Sequence, residues 1–210
     1  MSRERSQRAA AVLAAVALAI AVTDPGFAHD AAKHGQGGGG PKTAAPEPFP
    51  LDIGGRFALV DHTGAPRTDA DFAGRYLLVY FGYSKCPYTC GVALLNISGA
   101  LDELGAAGER LSPLFITVDP EYDTPGRLAA YLANFHARLI GLTGAPAEVR
   151  RVLADFRIEA RARPDPGAYE RLVDHTPFTY LFGPDGALLT ILPPIVPPPQ
   201  MAAIIRSYIE

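Results

Sequence analysis

From about residue 50 onward, apolar and polar positions change period along the chain, and each change marks an element. Residues 57–60 have the make-up of a short strand. Asp61-His62-Thr63-Gly64 turns it, and residues 66–68 return beside it as a hairpin. Residues 76–81 are an apolar run with no period-2 alternation, which predicts a central strand covered on both faces. Leu94, Leu95, Ile97, Leu101 and Leu104 recur at helical spacing and predict a helix over 92–104, closed by Gly105 and Gly108. Residues 114–118 form the next buried strand. Asp119–Asp123 make a turn, and Thr124-Pro125 reads as a helix N-cap with proline in the first turn.

The helix that follows, 126–135, brings Leu128, Tyr131, Leu132 and Phe135 to one face. Residues 139–142 are a short strand, and 146–156 an amphipathic helix carrying Val149, Val152, Leu153 and Phe156. The polar stretch 161–171 reads as a loop or a hairpin arm. Residues 178–182 and 187–192 are strands joined by the turn Gly183-Pro184-Asp185-Gly186. Residues 193–199 are extended, and 201–209 form a last helix. The order is hairpin, β, α, β, α, β, α, β, β, α. It predicts an α/β fold, a thioredoxin-like three-layer sandwich with a central mixed β-sheet and an N-terminal hairpin.

The segment before residue 50 is of another kind. Arg3, Arg5 and Arg8 precede the apolar run 9–22, Asp24-Pro25 breaks it, and Gly26-Phe27-Ala28 offers small residues at cleavage-site spacing. Residues 1–28 therefore read as a secretory signal peptide. An uncleaved anchor is the rival, although 14 apolar residues are short of the roughly 20 that a span needs. Residues 29–49 hold His29, His34, four consecutive glycines and three prolines, a composition that reads as a flexible linker. The folded domain is expected over 50–210, with a periplasmic or otherwise extracytoplasmic location. It would stay membrane-associated if the leader is retained.

Charge narrows the class. The chain has 19 Lys and Arg against 22 Asp and Glu; without residues 1–28 it has 16 against 20, a net charge of −4. No basic face is available for a nucleic acid. The only cysteines are Cys86 and Cys90, in Y-F-G-Y-S-K-C-P-Y-T-C-G at the junction of a predicted strand and helix. Export would place them in an oxidising compartment, where a disulfide is the default fate. A Cys-x-x-x-Cys loop is too short to staple a fold by much, so the pair points to chemistry. The helix N-terminus and neighbouring Lys85 favour a thiolate. Thiolates suit a soft metal such as Cu(I), and an imidazole beside them would complete an S₂N site. The same pair could cycle as a disulfide, though its spacing departs from the Cys-x-x-Cys of dithiol oxidoreductases.

Any third metal ligand must come from five histidines. His29 and His34 fall in the linker, His62 in a hairpin turn and His136 at a helix end, where structural roles account for them. His175, in Val173-Asp174-His175-Thr176-Pro177, precedes a predicted strand whose entry loop faces the cysteine helix in this fold.

G-Y-S-K-C-P-Y-T-C, then F-I-T-V-D-P-E-Y-D-T-P, then V-D-H-T followed by Y-L-F-G-P-D-G, resemble the Sco/SenC family in content, order and spacing over residues 51–210. The resemblance implies a thioredoxin-fold copper protein that helps build the Cu(A) centre of cytochrome c oxidase. It implies that Cys86, Cys90 and His175 are the ligands of copper, as Cu(I) or Cu(II). Its expected partners are the Cu(A) subunit or another copper-receiving protein, and a thiol reductant. Asp119 and Asp123 match the family's acidic motif and read as a strand-end turn and a helix cap. Gly91 stands where the family often has proline. Pro177 stands where thioredoxin-like reductases carry a cis-proline, which favours the alternative of a thiol–disulfide oxidoreductase with Cys86 and Cys90 as its redox pair.

Overall fold

The computed structural model describes residues 51–163 and 172–210. Residues 1–50, where a signal peptide and a linker are expected, and residues 164–171 of the polar arm lie outside the described residues.

The sheet grows outward from its most apolar strand. β3 (Tyr76–Gly82) buries Leu78, Val79, Tyr80 and Phe81 completely or nearly so, as an unalternating run requires. β4 (Leu111–Thr117) lies parallel to it with Tyr80 opposite Phe115, and β5 (Ile140–Thr143) lies parallel to β4. On the other side β8 (Thr179–Phe182) and β9 (Leu188–Leu192) add antiparallel. The N-terminal hairpin, β1 (Ala58–Asp61) and β2 (Pro66–Thr68), extends the β5 edge. The seven-stranded order is β2-β1-β5-β4-β3-β8-β9, the mixed sheet expected.

Alternate side chains of β3 serve two aromatic layers. Tyr80 stacks toward Phe115, which meets Tyr131 of α2 (Pro125–Leu132). Phe81, on the opposite face, meets Tyr180 and also Phe156 at the end of α3 (Pro146–Asp155). Helices thus cover both faces, which gives the three layers. α1 (Thr89–Leu104) buries Cys90, Ala93, Leu94, Ile97, Ala100, Leu101 and Leu104, and packs beside α4 (Pro198–Ile209). Proline opens α2, α3 and α4, where a missing N–H costs nothing.

Four details differ from the sequence reading. α1 starts at Thr89, not at Val92, and so includes Cys90; Pro87 stands just outside its N-cap Tyr88. Leu95 does not join the apolar face but is 58% exposed, since the stripe is led by Cys90. α2 stops at Leu132, three residues early. α4 begins at Pro198, three residues before the predicted start at 201, because proline is at home in a first turn. The polar arm is a separate two-stranded sheet of β6 (Ala160–Ala162) and β7 (Val173–His175). Among the described residues, no helix is long and apolar enough to cross a membrane.

Candidate metal centre

The centre is assembled where β3 gives way to α1. A Cβ at Gly82 would stand 3.0 Å from Cys90 Sγ and 2.9 Å from both Tyr80 Cε1 and Phe115 Cε2. The missing side chain is the room that the Cys90 sulfur occupies. The turn after Gly82 is braced by Asp123, a fully buried carboxylate. It accepts from the Ser84 amide at 3.1 Å, from the Ser84 hydroxyl and from the Thr117 hydroxyl at 2.6 Å. Burial pushes its pKa up, against these hydrogen bonds. Asp123 therefore ties the ends of β3 and β4 together. The cap of α2 is Thr124, whose hydroxyl accepts from the Arg127 amide at 3.4 Å. Asp119 shapes the turn: its carbonyl accepts from the amides of Tyr122 and Asp123.

Cys86 is partly exposed and Cys90 fully buried, and no disulfide joins them. The Cys90 amide points back at Cys86 Sγ, 3.4 Å away, as an open helix N-terminus should toward a thiolate. The hydrogen bond from the Cys90 thiol holds the Cys86 pKa down at about 3. The amides of Cys90 and Tyr88 add to this, against the cost of burial. Cys90 is pushed far above the ordinary thiol range by the same bond and then by burial. The first negative charge of the pair therefore sits on Cys86. Lys85 does not turn to the sulfurs; its ammonium lies 4.5 Å from the centre of the Tyr122 ring.

His175 arrives on the arm and ends β7, where the sequence suggested a loop. The arm's ladder is bonded at 163 with 172 and at 159 with 176. That phase leaves Val173 in a non-bonded pair with its amide facing outward, and there it donates to the Tyr83 hydroxyl at 3.1 Å. Tyr83 stands three residues before Cys86, so one short segment anchors both the sulfurs and the arm. The imidazole meets Tyr80 and Tyr83 edge-on, with centroids 6.3 and 5.9 Å away. Its Nδ1 lies 3.1 Å from the Thr176 carbonyl. A carbonyl can only accept, so Nδ1 carries the proton and Nε2 presents its lone pair. Nε2 is 3.5 Å from Cys90 Sγ. Asp174 does not orient the ring; it pairs with Arg163 at 2.8 Å on the exposed side.

One donor atom each from Cys86, Cys90 and His175 lies within 4.8 Å of the other two. Two sulfurs and an imidazole whose free nitrogen is fixed by a carbonyl make a soft S₂N donor set, which fits a cuprous ion. A cleft of about 440 Å³ lined by Tyr83, Cys86, Tyr88, Val173, His175 and Pro177 leads to it. Among the described residues, no carboxylate joins this group. His62 Nδ1 accepts from the Gly141 amide and His136 Nδ1 from the Arg138 amide, so both serve the scaffold. His29 and His34 lie outside the described residues. The Thr176–Pro177 bond is trans, since no described peptide is cis; the support that a cis-proline would lend to a reductase is absent.

Of the two braces, Asp123 reads in sequence as a helix cap, and Tyr83 carries no motif signal at all. The Tyr80 hydroxyl is buried beneath the site without a hydrogen-bond partner among the described residues. Gly82, at the end of an otherwise bulky strand, was the available signal, because glycine there marks a close approach.

Comparisons place this geometry among known proteins. The family described as SCO1/SenC matches residues 45–210. Protein sco1 of Schizosaccharomyces pombe is 36% identical over 159 residues, 74% of this chain and 60% of that protein. The human SCO1 homolog, mitochondrial, is 40% identical over 139 residues, 65% of this chain and 46% of that protein. The chain thus matches about half to three fifths of the length of these relatives. The solved structure of Bradyrhizobium japonicum ScoI with copper bound superimposes with a TM-score of 0.69 at 36% identity, covering 74% of this chain and 99% of that one. By sequence and fold, this chain belongs to the SCO1/SenC family.

Proposed function

We propose that the protein is an extracytoplasmic copper metallochaperone that takes copper on Cys86, Cys90 and His175 and passes it to the Cu(A) subunit of cytochrome c oxidase. The convergence of these three donors within 4.8 Å carries the reading, and the copper held by the Bradyrhizobium relative supports it. Copper is the cargo. Cys86 offers a ready thiolate and Cys90 a second sulfur from the helix. His175 offers Nε2 while its other nitrogen is held by Thr176. The half-exposed side at Cys86 and the cleft beside it give an incoming ligand its path. Residues 1–28 act as the export signal and 29–49 as the tether.

Copper titration of the reduced wild type beside Cys86→Ser and His175→Ala tests the reading. Each variant removes a ligand outright and should lose at least the roughly ten- to hundredfold in affinity that loss of a mere orienting partner costs. Unchanged stoichiometry and affinity would overturn it.

The charge asymmetry of the cysteines favours a second role, thiol–disulfide exchange with the partner's cysteines. Cys86 is the accessible attacking thiolate and Cys90 the buried resolving thiol. A Cys90→Ser variant should then trap a mixed disulfide with a client, and repeated failure to trap one would retire this role.

A further inference from the structure

Six large apolar side chains are conspicuously exposed among the described residues: Leu51, Tyr88, Val92, Leu95, Phe178 and Ile195. Tyr88 lines the cleft at the candidate metal centre, and four of the others continue from it. Tyr88, Val92 and Leu95 follow one another at i, i+4 and i+7 along the outer side of α1, which is a single stripe. The Asn96 amide donates to the Pro194 carbonyl at 3.3 Å, and Pro198 packs against Gly99, so the 193–198 turn lies along the same flank with Ile195 at 77% exposure. Thr179 pairs with Leu192 at the end of the β8–β9 ladder, which brings Phe178 beside Pro193. Pro177, its neighbour, lines the cleft with Tyr88, Cys86 and His175. The apolar border therefore runs from the mouth of the site along α1, across the turn and back to the arm.

The charge pattern is as uneven as the exposure. No Asp, Glu, Lys or Arg occurs in residues 86–101, 176–184 or 186–205, the stretches that build this border. The charges at the site lie on the arm: Arg163 and Asp174 line that side of the cleft and pair with each other at 2.8 Å. Contiguous exposed apolar surface of this kind marks an interaction site on soluble proteins, and the core of a docked interface is depleted of charge.

We infer that the α1 stripe with the 193–195 turn and Phe178 is the docking surface for the protein that exchanges copper with this one, and that it receives an uncharged, apolar rim around that partner's own metal ligands. The inference rests on the metallochaperone reading above and adds to it the face and chemistry of the encounter. The position of the patch selects the occupant: a partner whose ligands reach Cys86 and His175 through the cleft must cover Tyr88 and Pro177 on the way. The absence of charge selects its chemistry, because a charged rim would be desolvated there without a counter-ion. Association through such a surface lacks electrostatic steering, so its rate should be only weakly dependent on salt.

The test uses the ¹⁵N-labelled reduced chain without its leader, mixed with the metal-free soluble Cu(A) domain of cytochrome c oxidase from the same source. Amide shifts should concentrate at Tyr88, Val92, Leu95, Phe178 and Ile195, and the double variant Val92→Glu/Leu95→Glu should abolish them. That variant alters only exposed positions, so its copper titration should match the wild type. Stopped-flow copper transfer from the loaded chain to the same domain should slow about tenfold or more in the variant. It should change less than about twofold between low and high salt in the wild type. Shifts centred elsewhere, no shifts at all, or a steep salt dependence would overturn the assignment. So would a wild-type dimer that the variant dissolves, since the patch would then be covered by a second copy. Docking at the patch without transfer would support the surface while overturning copper delivery, which keeps the two readings apart.

Discussion

Cys90 Sγ and His175 Nε2 lie 3.5 Å apart although eighty-five residues separate them. The sulfur belongs to the first turn of α1, seated over Gly82, and the nitrogen to an arm outside the central sheet. Their meeting depends on three local devices: the vacancy above Gly82, the Asp123 brace on the cysteine turn, and the Tyr83 hydroxyl that holds the arm. Each device can be removed singly.

Gly82→Ala puts a methyl within 3.0 Å of Cys90 Sγ and 2.9 Å of two aromatic rings. Overpacking of this kind costs about 1–3 kcal/mol. The expected result is a lower urea midpoint together with weakened copper binding as Cys90 is displaced. Wild-type affinity in a folded Gly82→Ala protein would show that the sulfur does not need this seat.

Asp123→Ala leaves the Ser84 amide and two hydroxyls without their shared acceptor in a buried place. A loss of about 1–3 kcal/mol is expected for each buried donor left unsatisfied. Asp123→Asn keeps an acceptor and should recover part of it. Chemical denaturation of the three proteins measures both effects, and equal stability of the two variants would contradict the brace.

The thiol pair makes stability depend on pH with a definite sign. Cys86 is held at about 3 against an ordinary value of 9.0. Between these values the unfolded chain binds a proton that the folded one does not, so stability rises with pH. Above 9 the raised Cys90 acts in reverse, because the folded chain keeps a proton that the unfolded chain loses. In reduced, metal-free protein the stability gap between wild type and Cys86→Ser should therefore widen from about pH 4 to about pH 8. A gap independent of pH would remove the Cys86 thiolate from the account. Iodoacetamide should also modify Cys86 well before Cys90, and below the usual thiol range.

The Tyr80 hydroxyl is buried without a hydrogen-bond partner among the described residues, and burial raises its pKa. An unsatisfied buried hydroxyl costs about 1–3 kcal/mol. Tyr80→Phe should thus raise the melting temperature of the metal-free protein. A fall would reveal a bond to Cys90 that the hydroxyl gains in solution.

Much of this was written in the sequence, and the rest had a physical reason not to be. The unalternating run of β3 announced a central strand, and the β/α order announced the sandwich, because both are local patterns of burial. The three donors could be named from cysteine spacing, fold order and family resemblance. Leu95 was misassigned because helical spacing cannot tell which of two adjacent leucines faces inward; that is set by α4 and by the seat of Cys90. Asp123, within the acidic motif, reads as a helix cap, while its partners, Ser84 and Thr117, are joined to it only by the sheet. Of the two sources that the sequence offers for a depressed thiol, the helix N-terminus acts through the Cys90 amide, while tertiary packing diverts the Lys85 side chain to Tyr122.

The bond from the Val173 amide to the Tyr83 hydroxyl turns one proton into a gauge. The ladder-bonded amides of the arm report on the arm's own pairing, whereas this one is protected only while the arm is seated against the end of β3. Its hydrogen-exchange rate therefore counts how often the nitrogen donor parts from the sulfurs, in a protein that carries neither label nor metal.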